Sequence, residues 1–175
     1  MPQQIAAKLN SLTLERNIPV SITIELTRRC PLSCRHCYLP ETRGRSVPGR
    51  ELNTVQWEKI LGQLAEAGGL YLVFTGGEPL LRKDFAEIYR CAKKLGMIVT
   101  VFTSATNLTQ RVVDTFVEYP PFLVEATLHG ATETTFETVS GIPGSFRRFK
   151  RGIQLLRDRH IPFHLKMIVM RQNLH

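Results

Sequence analysis

Three cysteines fall within eight residues, Cys30-Pro31-Leu32-Ser33-Cys34-Arg35-His36-Cys37. Thiolates are soft ligands that select zinc or iron–sulfur centres. Four would close a structural site. Three leave one coordination position vacant, and a vacant position is where a reacting molecule reaches the metal. Cys30, Cys34 and Cys37 are therefore candidate metal ligands of a catalytic centre. The competing reading is a structural zinc that adds His36. Adjacent ligands at 36 and 37 would strain a small tetrahedral site, and no partner cysteine pair follows. The fourth cysteine, Cys91, sits mid-helix beside Ala92 and reads as a small buried apolar residue.

The elements that carry this loop alternate. Ser21 to Leu26 alternates apolar and polar residues as a strand does and runs straight into the cysteines. Residues 38–50 hold Pro40, Gly44, Pro48 and Gly49 and read as an irregular connection. Asn53 with Gln56 predicts a capping box. The helix it opens buries Val55, Ile60, Leu61 and Leu64 and ends at Gly68-Gly69. A second strand, Leu70 to Phe74, leads into Thr75-Gly76-Gly77-Glu78-Pro79. Asp84 with Glu87 then predicts another boxed helix, closed at Gly96. A third strand (97–102), a helix (109–118), a fourth strand (122–128), two helices (132–139 and 145–159) and a fifth strand (163–170) complete the pattern.

Strands separated by helices and short connections must lie parallel, joined by right-handed crossovers. A barrel and an open doubly wound sheet both satisfy that pattern. In either, ligands gather at the carboxyl ends of the strands. The unusual residues stand there: the cysteines after strand one, Gly76-Gly77-Glu78-Pro79 after strand two, Thr103-Ser104 after strand three and His129-Gly130 after strand four.

At 175 residues and 43% hydrophobic the chain can bury one core, without an apolar run long enough to span a membrane or a signal-peptide start. Reduced thiols clustered in one loop argue for a cytoplasmic location rather than a secreted disulfide framework. The net charge of +8 is uneven: +5 over residues 1–50, −4 over 51–144 and +7 over 145–175. No nucleic-acid-binding motif accompanies it, so a solvated basic surface is the reading preferred to a nucleic-acid partner.

Cys-x3-Cys-x2-Cys after one strand and Gly-Gly-Glu-Pro after the next resembles the radical S-adenosylmethionine (radical SAM) superfamily. The stretches Glu25 to Tyr38, Thr127 to Thr132 and Gly141 to Phe146 are similar to its branch of peptide- and protein-modifying maturases, whose members often carry a cysteine-rich SPASM extension. The resemblance covers about residues 20–175. It implies an α/β fold, a partial TIM-like (β/α) barrel of the radical SAM type with five parallel strands present and a lead segment at 1–20. It further implies an enzyme in which Cys30, Cys34 and Cys37 hold a [4Fe–4S] cluster whose remaining iron takes SAM. Reductive cleavage of SAM then yields a 5′-deoxyadenosyl radical that abstracts hydrogen, here from a peptide or protein. A flavodoxin- or ferredoxin-type donor supplies the electron.

By the same resemblance Gly76, Gly77, Glu78 and Pro79 contact the SAM amino group, and His36 lies near the adenine; Tyr38, as an aromatic residue beside the last cysteine, reads as packing under the loop. Thr103, Ser104 and Thr127 reach ribose or carboxylate oxygens, Glu125 shares the face of Thr127, and Lys166 complements the SAM carboxylate. The family core has six strand–helix units, whereas the fifth strand ends this chain. A truncated barrel, or one completed by a partner chain, is the resulting expectation, with strand five as an exposed apolar edge. A non-catalytic iron–sulfur electron-transfer or assembly module and an RNA-modifying radical SAM enzyme are the alternative functions.

Overall fold

The structure, a computed structural model, describes residues 11–39 and 51–174, so most of the 38–50 connection and half of the 1–20 lead segment lie outside the described residues. Four strand–helix units and a fifth strand follow one another among the described residues: β1 (Ser21–Thr27), α1 (Thr54–Glu66), β2 (Tyr71–Gly76), α2 (Phe85–Lys94), β3 (Ile98–Thr103), α3 (Gln110–Glu118), β4 (Leu123–Thr127), α4 (Glu133–Ser140), α5 (Ser145–Asp158) and β5 (Phe163–Lys166). Short 3₁₀ turns form at Pro79–Leu81 and Arg171–Asn173.

The five strands make one parallel sheet in the order β1-β2-β3-β4-β5. A doubly wound sheet must reverse its strand order at a switch point. Here the order never reverses, so every crossover winds the same way and the sheet curls as part of a barrel.

Alternation along the strands divides the two faces. Leu72, Phe74, Val99, Val101, Val124 and Ala126 are buried beneath the helices. Thr75, Phe102, Glu125 and Thr127 are half-buried on the other face, which is the inside of the curl. The helical layer contributes Phe85, Ile88, Tyr89, Val113 and Phe116, with Phe85 and Tyr89 stacked at 5.8 Å and Phe116 edge-on to Tyr89 at 5.1 Å. Each such side chain stabilises the fold by roughly 2 kcal/mol against about 1 kcal/mol for a helix cap. Packing therefore decides that the helices form, and the caps decide where they start.

The Asn53–Gln56 box forms reciprocally, with both bonds at 2.9 Å. The box expected at Asp84 does not. Asp84 occupies the N-cap position without capping, because Arg82 claims its carboxylate through Nε at 3.0 Å and Nη2 at 2.7 Å, and the Thr54 hydroxyl donates to it at 2.8 Å. Buried Arg82 also donates to the carbonyls of Leu26 and Leu52, at 3.1 and 2.9 Å. One guanidinium thus ties the end of β1 to the starts of α1 and α2. Val55, expected in the core, is 71% exposed, and Trp57 packs against the core in its turn of the helix.

The fifth strand is shorter than the apolar run that suggested it. It stops at Lys166 because β4, its one neighbour among the described residues, ends at Thr127, the residue paired with Lys166. Beyond it the chain is held back over the sheet end: Asn173 donates to the carbonyls of Ile168 (2.9 Å) and His129 (3.2 Å), while the Met170 amide donates to the Asn173 side chain at 2.7 Å. Leu165, Met167, Ile168 and Val169 are exposed along this margin, as an apolar edge would be.

Candidate active site

The Cys30–Cys37 loop is clamped on two sides. On one side the Gly77 amide donates to Thr27 O at 2.7 Å and the Glu78 amide to Arg29 O at 2.8 Å. Gly76 has φ +132°, and a β-carbon on Gly77 would lie 2.3 Å from Arg29 O, so only glycine allows the second strand end to lie against the loop. On the other side Ser33 and Arg35 donate their amides to Ser140 O (2.9 Å) and Val139 O (3.0 Å) at the C-terminus of α4. Carbonyls left without partners by the helix are thereby satisfied by the loop. Thr27 anchors the root, with its hydroxyl on Glu51, which also binds Arg29 at 2.9 Å.

Between these clamps lies a cavity of about 470 Å³. Cys30, Cys34 and Cys37 line it with His36 and Tyr38 from the loop, Gly76 and Gly77 after β2, Thr103 and Ser104 after β3, Thr127 from β4 and Lys166 from β5. Eleven of the fourteen candidate residues converge there. Thr75, Phe102, His129, Met167 and Ile168 complete the wall alongside Leu32. Strand alternation places Thr75 and Phe102 on the inner face and could have singled them out. Met167 and Ile168 could not be foreseen, because the sequence reads as strand where the chain folds back.

Three candidates are placed differently. Glu78 has no exposed surface. Its carboxylate accepts from the Thr103 hydroxyl (2.7 Å), the Ser104 amide (2.7 Å) and hydroxyl (2.5 Å) and the Leu80 amide (3.2 Å). It braces the ends of β2 and β3 from behind rather than presenting an oxygen to the cavity. Pro79 is buried as the first residue of the 3₁₀ turn. Glu125 lies below the cavity and forms an ion pair with Lys166, whose ammonium also sits 4.4 Å above the Phe102 ring. Tyr38 does not pack under the loop; it is 67% exposed, its hydroxyl donating to Glu25 at 3.2 Å.

Burial governs the electrostatics. It pushes the Cys30 thiol up to about 11, with the charge of Glu78 adding to the effect. Metal must therefore displace a proton from Cys30 at neutral pH. Burial likewise drives the Glu78 carboxyl upward against its hydrogen bonds, lowers His36, and with neighbouring His36 brings His129 down to about 4. None of the three loop cysteines is in a disulfide, and all three line the cavity. Among the described residues no three Cys, His, Asp or Glu side chains close around a point where a single ion would sit. Three cysteines lining one cavity are a soft donor set that suits an iron–sulfur cluster.

The family model of the radical SAM superfamily matches residues 24–175. The chain belongs to the radical SAM superfamily. Membership implies SAM and an iron–sulfur cluster, and the donor set fits both. Among curated relatives, the chain is 34% identical over 158 residues to a PqqA peptide cyclase of Bradyrhizobium diazoefficiens, covering 90% of this chain and 41% of that one. It is 35% identical over 158 residues to an AdoMet-dependent heme synthase of Methanosarcina barkeri, covering 90% and 45%. The chain thus spans less than half the length of these relatives. Among solved structures, Streptococcus suis SuiB bound to S-adenosylmethionine superposes with a TM-score of 0.77 at 20% identity, over 97% of this chain and 39% of that one, and shows the same fold. The radical SAM fold accounts for the sequential strand order and for the site at the strand ends.

Proposed function

We propose that the chain is the SAM-binding core of a radical SAM enzyme that modifies a peptide or protein. The observation that carries this reading is the convergence of three reduced cysteines and a glycine pair on one cavity at the strand ends. In it Cys30, Cys34 and Cys37 hold a [4Fe–4S] cluster. When bound, cluster and SAM supply one-electron cleavage of a sulfonium C–S bond and abstraction of a hydrogen atom.

The chain's own residues bind and orient. The backbone of Gly76 and Gly77 can approach the SAM amino group closely because no side chain intervenes. Glu78 holds that turn and Ser104 in place. The hydroxyls of Ser104, Thr103 and Thr127 donate to or accept from ribose and carboxylate oxygens. Paired with Glu125, Lys166 serves as a hydrogen-bond donor at the wall more than as an unbalanced charge. His36 offers a ring face to the adenine. Leu32, Phe102, Met167 and Ile168 supply apolar wall that limits water.

A peptide substrate is supported by the PqqA peptide cyclase relative and by a SuiB structure bound to its precursor peptide. Reducing equivalents would come from a flavodoxin- or ferredoxin-type protein in the cytoplasm, where free thiols persist. No helix of the described residues is long and apolar enough to cross a membrane. The chain, reconstituted anaerobically with iron and sulfide, should release 5′-deoxyadenosine and methionine from SAM on reduction. A fully loaded cluster that yields neither product would overturn the catalytic reading in favour of an electron-transfer module.

A further inference from the structure

One imidazole on the cavity wall has no task in that reading. His129 follows β4 and is 3% exposed, with Nε2 3.5 Å from Cys34 Sγ. Its ring packs edge-on to Phe136 of α4 at 5.0 Å and tilts against His36 at 5.4 Å. Its carbonyl is held by Asn173 at 3.2 Å. The cysteine loop docks on the last turn of the same helix, through Ser140 and Val139. Thiol and ring are therefore fixed relative to each other by α4.

The ring's protonation pattern follows from its surroundings. Nδ1 is buried without a hydrogen-bond partner. A neutral imidazole carries one N–H. On Nδ1 that proton would be a buried orphan donor, at a cost of about 1–3 kcal/mol. On Nε2 it faces sulfur. A thiolate that binds metal has lost its own proton and can only accept.

We infer that His129 is a positioning residue for the iron–sulfur centre, donating Nε2–H to the Cys34 sulfur. The inference rests on the reading of Cys34 as a cluster ligand. Hydrogen bonds to ligand sulfurs orient them and help to set a cluster's reduction potential. A donor withdraws charge from sulfur and so favours the reduced cluster, which carries one more electron. His129 thereby makes the centre easier to reduce and holds Cys34 facing the cavity.

The test compares reconstituted wild type, His129→Leu and His129→Gln without SAM, by redox titration followed by electron paramagnetic resonance (EPR). The leucine variant should shift the midpoint to more negative potential, and glutamine, whose amide N–H can replace the donor, should return it toward wild type. A leucine variant with full iron content and the wild-type midpoint would overturn the inference. Should that variant take up no iron, the wild-type ring decides. With [15N]histidine labelling in a His36→Phe background, pulsed EPR should detect one weakly coupled histidine nitrogen, and its absence overturns the inference. Failure of the underlying cluster assignment is visible separately, as wild type without iron or Cys34→Ala that retains it.

Discussion

Cys34→Ala should leave the chain folded and unable to assemble its cluster. Anaerobic reconstitution should load wild type with about four iron atoms per chain, as a [4Fe–4S] centre requires, and the variant with almost none. The size of the effect follows from the ligand count. Three thiolates already leave one iron without a protein ligand, so a second unliganded iron has no compensating donor among the residues lining the cavity. His129 Nε2 lies 3.5 Å from the Cys34 sulfur, yet its ring is held between Phe136 and His36. Cys34 lies only partly buried on a cavity wall, so the apo variant should lose no more than about 1 kcal/mol of stability. Cys91→Ala is the control. That thiol sits in α2, packs partly against the core and lies outside the cavity, and its loss should leave iron content unchanged. Iron retained by Cys34→Ala, or lost from Cys91→Ala, contradicts the ligand assignment.

The second large effect is expected at Glu78. Alanine there strands the buried amides of Leu80 and Ser104 and the hydroxyl of Thr103 and leaves a void between two strand ends. A loss of about 3 kcal/mol, read by urea denaturation of the apo chain, is expected. Glutamine keeps the shape but turns an N–H toward one of those donors, so it should cost about 1–2 kcal/mol.

The pH dependence separates packing from charge. Burial raises the carboxyl's folded pKa above its unfolded value near 4.5, so between the two the native state binds the proton more tightly than the unfolded chain. The contribution is complete below 4.5 and is lost as pH rises through the folded value. The wild-type advantage over Glu78→Gln should therefore shrink with rising pH. An advantage that grows toward neutrality would show that the hydrogen bonds from Ser104 and Thr103 outweigh burial and hold the group ionised.

Much of this site was legible before any coordinates. The cysteine spacing is a short-range covalent constraint, so the three thiols had to share one loop. Strand–helix alternation determined which loops meet at the carboxyl ends. What stayed hidden were the choices a side chain makes between partners distant in sequence. Glu78, Thr103 and Ser104 were all expected to face the ligand, but the meeting of β2 and β3 sets Glu78 to bond Thr103 and Ser104 instead. Glu125 and Lys166 likewise neutralise each other across two strands. Asp84 carried an N-cap signal, which Arg82 outcompeted with two charge-assisted bonds. His129 was legible only as a residue after the fourth strand, because its contact with Cys34 depends on α4 docking the cysteine loop, about a hundred residues away in the chain.

With Cys30, Cys34 and Cys37 as the proposed cluster ligands, one iron is left open to SAM beside Gly76 and Gly77. EPR of the reduced, reconstituted chain before and after adding SAM tests it most directly. Wild type should give a [4Fe–4S] signal whose g-values shift when SAM is added, and Cys34→Ala should give no such signal. A fully loaded cluster whose spectrum SAM leaves unchanged would contradict it.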